Sequence, residues 1–129
     1  MIEVLSPEVP TEMRSEAASV VERFNDAFDR ADLTRLAELL TDDVVFESTA
    51  PPAGIRHIGR PAVLAAFAEF FASTTDPDFQ TEEMIAAHDR VVVRWRFTWG
   101  GEHPGFVRGV DIFTVTGGRV AEKAAYVKG

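Results

Sequence analysis

The sequence predicts a single α+β domain, and three observations carry that prediction. Apolar residues recur at three- and four-residue steps from Met13 to Leu40 and again from Val63 to Phe71, which is helical spacing. From Phe79 onward the period falls to two, the spacing of half-buried strands. Helices come mainly first and strands follow, an order that sets helices against an antiparallel sheet. The 129 residues suit one domain. Residues 1–10, with Pro7 and Pro10, are expected as an extended lead-in, and residues 11–129 as the domain.

The first helix is expected from about Thr11. Its apolar stripe is Met13, Ala17, Val20, Val21, Phe24, Ala27, Phe28 and Ala31, with Glu16, Glu22, Arg23, Asp26, Asp29 and Arg30 on the other face. Asp32 can cap a second, shorter helix whose core side is Leu33, Leu36, Leu39 and Leu40. Thr41-Asp42-Asp43 breaks the period. Val44 to Thr49 reads as a strand with Val44, Phe46 and Ser48 on one face. Ala50 to Gly54 is a loop, and Pro61 suits the first turn of a third helix carrying Val63, Leu64, Phe67, Phe70 and Phe71. Phe79–Ala87 and Val91–Trp99 read as strands. Phe106–Val115 and Val120–Val127 form a hairpin around Gly117-Gly118.

Composition narrows the function classes. Twenty-one acids against thirteen bases give a formal charge of −8, unfavourable for a nucleic-acid backbone or an anionic membrane. The acids concentrate in residues 1–59. Eleven of the thirteen bases are arginine and two are lysine. There is no cysteine, which excludes disulfides, thiolate nucleophiles and cysteine-ligated metals. No apolar run approaches the ~20 residues of a membrane span. The N-terminus lacks the basic flank and apolar core of a secretory signal, so the expected compartment is the cytoplasm. No GxSxG, P-loop or GxGxxG is present, and His57, His88 and His103 form no HxH or HExxH pattern, so no metal site is expected.

The long opening helix, the acidic turn before the first strand, the segment IRHIGRPAVLAAF and the closing RGVDIFTVTGGRVAEKAAYVKG resemble the NTF2-like superfamily. Within it they fit the SnoaL-like and ketosteroid-isomerase-like branch best, over residues 14–128. The resemblance implies a cone: a curved antiparallel sheet wrapped around three helices, enclosing an apolar pocket and pairing as a homodimer through its outer face. It implies no cofactor and a small apolar ligand, with no nucleic acid and no membrane. The branch includes isomerases, polyketide cyclases, dehydratases, epoxide hydrolases and non-catalytic modules, so fold alone does not choose among them.

Carried over residue by residue, the ketosteroid-isomerase pattern puts Asp111 on the oxyanion-hole Asp, Ser48 on the general base and Phe24 on the oxyanion-hole Tyr. Serine is no carboxylate base and phenylalanine donates no hydrogen bond, so that isomerisation is not expected. Cyclases of the SnoaL type keep an acid/base Asp in this late strand.

Asp111 is therefore the leading acid/base candidate. Its strand neighbours Val110 and Ile112 are apolar, and it shares a face with Phe113 and Val115. Burial there would raise its pKa. A two-residue Gly-Gly loop pairs Asp111 with Ala124 and turns Glu122 inward, whereas a three-residue loop pairs it with Lys123; the resemblance favours Lys123 inward, a catalytic candidate that would there hold Asp111 ionised. His103, in the Gly100–Gly105 turn, is a second catalytic candidate at the pocket mouth. His57 is placed to project into the pocket, and His88 reads as a turn residue. Trp95, Phe97 and Trp99 share one strand face, and Trp95 and Trp99, with Phe113, Phe24, Ser48 and His57, are the candidate ligand-binding residues. Arg94 and Arg96 face away and are expected to meet acids across the dimer. The leading function is a small-molecule-binding protein, with cofactor-free cyclase or isomerase chemistry on a carbonyl compound. The alternatives are a non-catalytic binding or dimerisation module and an epoxide-hydrolase-like enzyme, which needs an Asp–Arg–Asp set in the pocket.

Overall fold

A computed structural model describes residues 2–5 and 15–129. The elements run β1 (Ile2–Leu5), α1 (Glu16–Asp29), α2 (Leu33–Glu38), β2 (Leu40–Glu47), β3 (Arg56–Ile58), α3 (Arg60–Ser73), β4 (Asp78–Ala87), β5 (Arg90–Trp99), β6 (Gly105–Thr116) and β7 (Arg119–Val127). No helix among the described residues is long and apolar enough to cross a membrane.

Each helix begins where its sequence permits. Ser15 caps α1, its Oγ accepting the Ala18 N–H at 3.2 Å, and Glu16 adds negative charge to the first turn. The buried stripe Ala17, Val20, Val21, Phe24 and Ala27 follows the expected spacing. The turn expected from Thr11, with Met13, lies outside the described residues. Asp32 caps α2 by accepting the Arg35 N–H at 3.0 Å. Gly59 enters α3 at φ 93°, a conformation that favours glycine, and Pro61 follows in the first turn.

The sheet is curved and unclosed, with strand order β1-β4-β5-β6-β7-β2-β3. It is antiparallel except for β2 and β7, which pair in parallel. No tight turn links those two strands, so nothing local reverses the chain between them. Three further details depart from the sequence reading. The lead-in is extended at Ile2–Leu5 but is hydrogen-bonded to β4 as an edge strand. Thr41 to Asp43, read as a break, belong to β2, where a register shift between Leu40 and Val45 hides the alternation. Arg56–Ile58, read as a connection, pairs with β2 through Phe46↔His57.

α1 packs across β4 to β7, and α3 against β2 and β3. Between helices and sheet lie Phe24 and Phe67, fully buried, with Phe28 and Phe46 partly buried against them. The inward face of β5 carries Val91, Val93, Trp95 and Phe97, and that of β6 carries Asp111, Phe113 and Val115.

The β6–β7 hairpin contains the feature that builds the site. Gly117-Gly118 is a two-residue loop between the paired Thr116 and Arg119. Val115 then pairs with Val120, but Thr114 pairs with Glu122, so Ala121 is an extra residue on β7. This bulge reverses the faces beyond it. Glu122 goes to the outer face. Lys123 comes inward opposite Phe113, and Asp111 is opposite Ala125. Neither register anticipated from sequence occurs: the loop is the short one, yet Lys123 is inside. Without the bulge, Glu122 and Tyr126 would face the core and Lys123 the solvent.

Candidate functional site

Asp111 and Lys123 stand where two cavities meet. The larger, about 390 Å³, is walled by aromatic side chains, among them Phe46, Phe70, Phe79, Trp95, Phe97 and Trp99, and is also reached by Ser48 and His57. The smaller, about 110 Å³, opens on the α1 side among Asn25, Asp26, Asp29 and Thr81. Asp111 and Lys123 border both.

The two charged residues are buried, with 6% and 7% of their surfaces exposed. Lys123 Nζ is 3.9 Å from Asp111 Oδ2, too far for a hydrogen bond. Five phenylalanine rings surround the ammonium, with centroids from 4.3 Å (Phe28) to 6.0 Å (Phe113). Phe24, Phe46 and Phe67 complete this cage at 5.3–5.4 Å. Removing two charges from water costs several kcal/mol each, of order 10 in total, and only close geometry with further hydrogen bonds repays it. Burial pushes the Asp111 carboxyl above the ordinary carboxylate range, and the Lys123 charge and Trp95 indole counter only part of this. Burial also pushes the Lys123 amine down, against the pull of Asp111. Burial thus moves both groups toward their neutral forms, while their mutual attraction and the ring cage oppose it.

Small residues let the tryptophans line the wall. Trp95 is opposite Gly109, and Trp99 opposite Gly105. A Cβ at Gly109 would stand 2.6 Å from the Trp95 ring, and one at Gly105 would stand 2.7 Å from Trp99. Each indole therefore lies over bare backbone. Trp99 Nε1 donates to the His103 carbonyl at 2.9 Å. Trp95 Nε1–H is buried near Asp111 but has no partner at full hydrogen-bonding geometry. The spacing was available in the sequence: two tryptophans four apart meet two glycines four apart.

The structure brings Asp111, Lys123, Trp95, Trp99, Ser48 and His57 to one cavity. It does not bring all the candidates there. Phe24 and Phe113 are fully buried and pack on each other at 5.5 Å behind Lys123, so they support the wall rather than form it. His103 is exposed in its turn and does not border the cavity, because the turn is anchored outward by the Trp99 bond. Ser48 Oγ accepts from Ile55 N at 3.1 Å and Ala50 N at 3.3 Å, closing the loop after β2. His57 stacks on Phe46 with centroids 5.7 Å apart. His88 is in the β4–β5 turn, as expected. Sequence reasoning missed Phe28, the ring nearest Nζ.

A sequence model of the SnoaL-like domain matches residues 21–123. The chain belongs to the SnoaL-like family. Its fold is shared with solved structures of the wider NTF2-like group. An NTF2-like protein of unknown function from Mesorhizobium loti is 36% identical, with a TM-score of 0.77 over 96% of this chain and 98% of its own. A candidate SnoaL-like polyketide cyclase from Jannaschia sp. CCS1 is 19% identical, with a TM-score of 0.79 over 94% and 91%. An epoxide hydrolase from M. tuberculosis, of the LEH-like kind, is also 19% identical, with a TM-score of 0.75 over 88% and 83%. These last two likenesses are of fold. No curated protein sequence matches. Asp111 and Lys123 are the charged residues bordering the larger cavity, and no arginine borders either cavity among the described residues.

Proposed function

We propose that the protein takes a small, largely apolar carbonyl compound into the larger cavity and acts on it by acid/base chemistry at Asp111, with Lys123 as its partner. The observation that carries this reading is the pair itself: a carboxyl and an amine 3.9 Å apart, buried, on the wall of an aromatic cavity. A neutral Asp111 can donate a proton to a carbonyl oxygen as negative charge develops there. A neutral Lys123 amine can take the α-proton. Together they would convert a ketone into its enol, the step shared by isomerisation and aldol-type cyclisation. The cavity lacks the arginine an Asp–Arg–Asp set requires, which counts against epoxide hydrolysis. Ser48 and Phe24 at the other two carried-over positions count against ketosteroid isomerisation.

The test is α-proton exchange of β-tetralone in deuterium oxide, followed by NMR. Exchange accelerated by the wild type and lost in Asp111→Asn is expected. Quenching of Trp95 and Trp99 by the ketone without faster exchange would favour the non-catalytic binding module.

We also propose that the protein pairs with a second copy through the outer sheet face. Arg94 and Arg96, expected to meet a partner's acids, also have neighbours within the chain. Arg94 lies 3.7 Å from Glu83, and Arg96 stacks on Phe106 at 4.1 Å. The support is an apolar row across five strands, Val4–Ile85–Val92–Ile112–Ala124, beside the half-exposed Phe106 and Tyr126. A dimer in sedimentation equilibrium, dissociated by Ile112→Lys, is the expected result.

A further inference from the structure

The Asp111–Lys123 pair has a consequence beyond proton transfer, and it rests on the acid/base reading above. We propose that Lys123 is a nucleophile whose amine condenses with an aldehyde or ketone held in the larger cavity to give a protonated imine, with Asp111 carrying the protons.

Four features of the structure support this. Lys123 borders the larger cavity, where an apolar carbonyl compound would lie. Its Nζ makes no hydrogen bond to Asp111, at 3.9 Å, so the nitrogen is not tied to that carboxyl. The ring cage from Phe28 at 4.3 Å outward holds the long side chain in one place, reducing the freedom lost on attack. The smaller cavity borders the same two residues from the α1 side, among Asn25, Asp26, Asp29 and Thr81, and would give the water released by condensation a polar exit. The lowered proton affinity of the buried amine is consistent with these and raises the share of free base.

The step balances without a redox partner. The Nζ lone pair attacks the carbonyl carbon, forming the C–N bond, while the Asp111 carboxyl proton passes to the carbonyl oxygen. One N–H proton returns to Asp111, leaving a neutral carbinolamine. Asp111 then protonates the hydroxyl, the C–O bond breaks, and water leaves as nitrogen forms the C=N bond. The products are a protonated imine on Lys123, an Asp111 carboxylate and one water. Charge is created as a pair within the pocket, so the iminium is stabilised by the carboxylate that its formation leaves behind. Other titratable groups near the pair are Asp26 and Asp29 on α1 and His57 on β3.

The sequence makes the test clean, because Lys123 and the exposed Lys128 are the two lysines. The full chain is treated with naphthaldehyde and sodium cyanoborohydride, and the reduced adduct is mapped by tryptic mass spectrometry. Naphthalenemethanol, which cannot condense, is titrated in parallel against the fluorescence of Trp95 and Trp99. The expected result is an adduct at Lys123 formed several-fold faster than at Lys128 near neutral pH, since a lowered proton affinity gives more free base and the cage holds the amine in place. Lys123→Met should lose that adduct and keep the quenching by the alcohol. The Lys123 labelling rate should also rise at lower pH than that of Lys128. Quenching by the alcohol with Lys123 labelled no faster than Lys128 would overturn the nucleophile while leaving the acid/base site standing. Absence of both quenching and labelling would overturn both.

Discussion

β6 carries an acid–base partner on each face, three residues apart, and the two pairs behave oppositely. On the outer face Arg108 donates twice to Glu82, at 2.8 and 2.9 Å. Those bonds hold the Glu82 carboxyl below its ordinary range, and Glu82 in turn raises Arg108. On the inner face Asp111 and Lys123 stand 3.9 Å apart without a hydrogen bond, and burial pushes both toward neutrality. The residue classes are the same. Water and hydrogen-bond geometry decide whether a carboxyl near a cation is a firm anion or a usable acid. The outer pair fastens β4 to β6 across β5. The inner pair makes no such bond.

The comparison breaks first at reactivity. Asp111→Asn keeps the shape but removes the proton carrier, so imine formation at Lys123 should fall about 10²–10⁴-fold. Arg108→Ala should leave that rate unchanged. Equal losses in both variants would show that the effect is on the fold, and circular dichroism of each checks this.

Stability gives the next largest difference. If the inner pair were a firm ion pair, removing one partner would cost about 3–5 kcal/mol. With both groups pushed toward neutrality, each of Asp111→Asn and Lys123→Met should cost less than ~3 kcal/mol, and the double variant should cost no more than the two single costs together. Urea titration of the four proteins measures the cycle. A double variant much weaker than the wild type would mean that the pair holds the core together.

The pH dependence should have opposite signs for the two carboxyls, Asp111 and Glu82. Asp111 binds its proton more tightly folded than unfolded. Its stabilising effect is therefore greatest below the ordinary carboxyl value and is lost as pH rises through its raised value. Lys123 is shifted down, so the folded state gains stability as pH rises from that lowered value toward the ordinary lysine range. Glu82 is shifted down among carboxyls, so its contribution is present above its ordinary value and lost on acidification. Urea midpoints of the wild type minus Asp111→Asn, and minus Glu82→Gln, taken across pH, should slope in opposite directions through the acid range.

Sequence periodicity made the large elements legible because one face of each is buried. The stripe of α1 and the alternation of Val91 to Trp99 are direct imprints of burial. What escaped has local causes. β1 and β3 span four and three residues, too short to show a period. The faces beyond Ala121 depend on one bulge, which alternation cannot reveal and which inverts every later side chain. Asp111 was recognisable as an apolar-strand carboxyl aided by resemblance. Lys123 was left open by register. Phe24 and Phe113 were misplaced because a core ring and a cavity ring look alike in a sequence. His103 was misplaced because nothing in the sequence says that its carbonyl, rather than its imidazole, is engaged.

The smallest expected effect is also the sharpest control. The outer pair is open to solvent, so salt should screen it, whereas the inner pair is shielded. At about 1 M salt the Debye length is ~3 Å, comparable to the outer pair's separation. Raising sodium chloride should therefore shrink the small shift in urea midpoint caused by Glu82→Gln. The shift caused by Asp111→Asn should not respond, because its origin is desolvation within the protein rather than attraction across water. A salt-sensitive Asp111 variant would mean that bulk solvent reaches the pair through one of the two cavities. Desolvation would then not be what sets the proton affinities of the two groups.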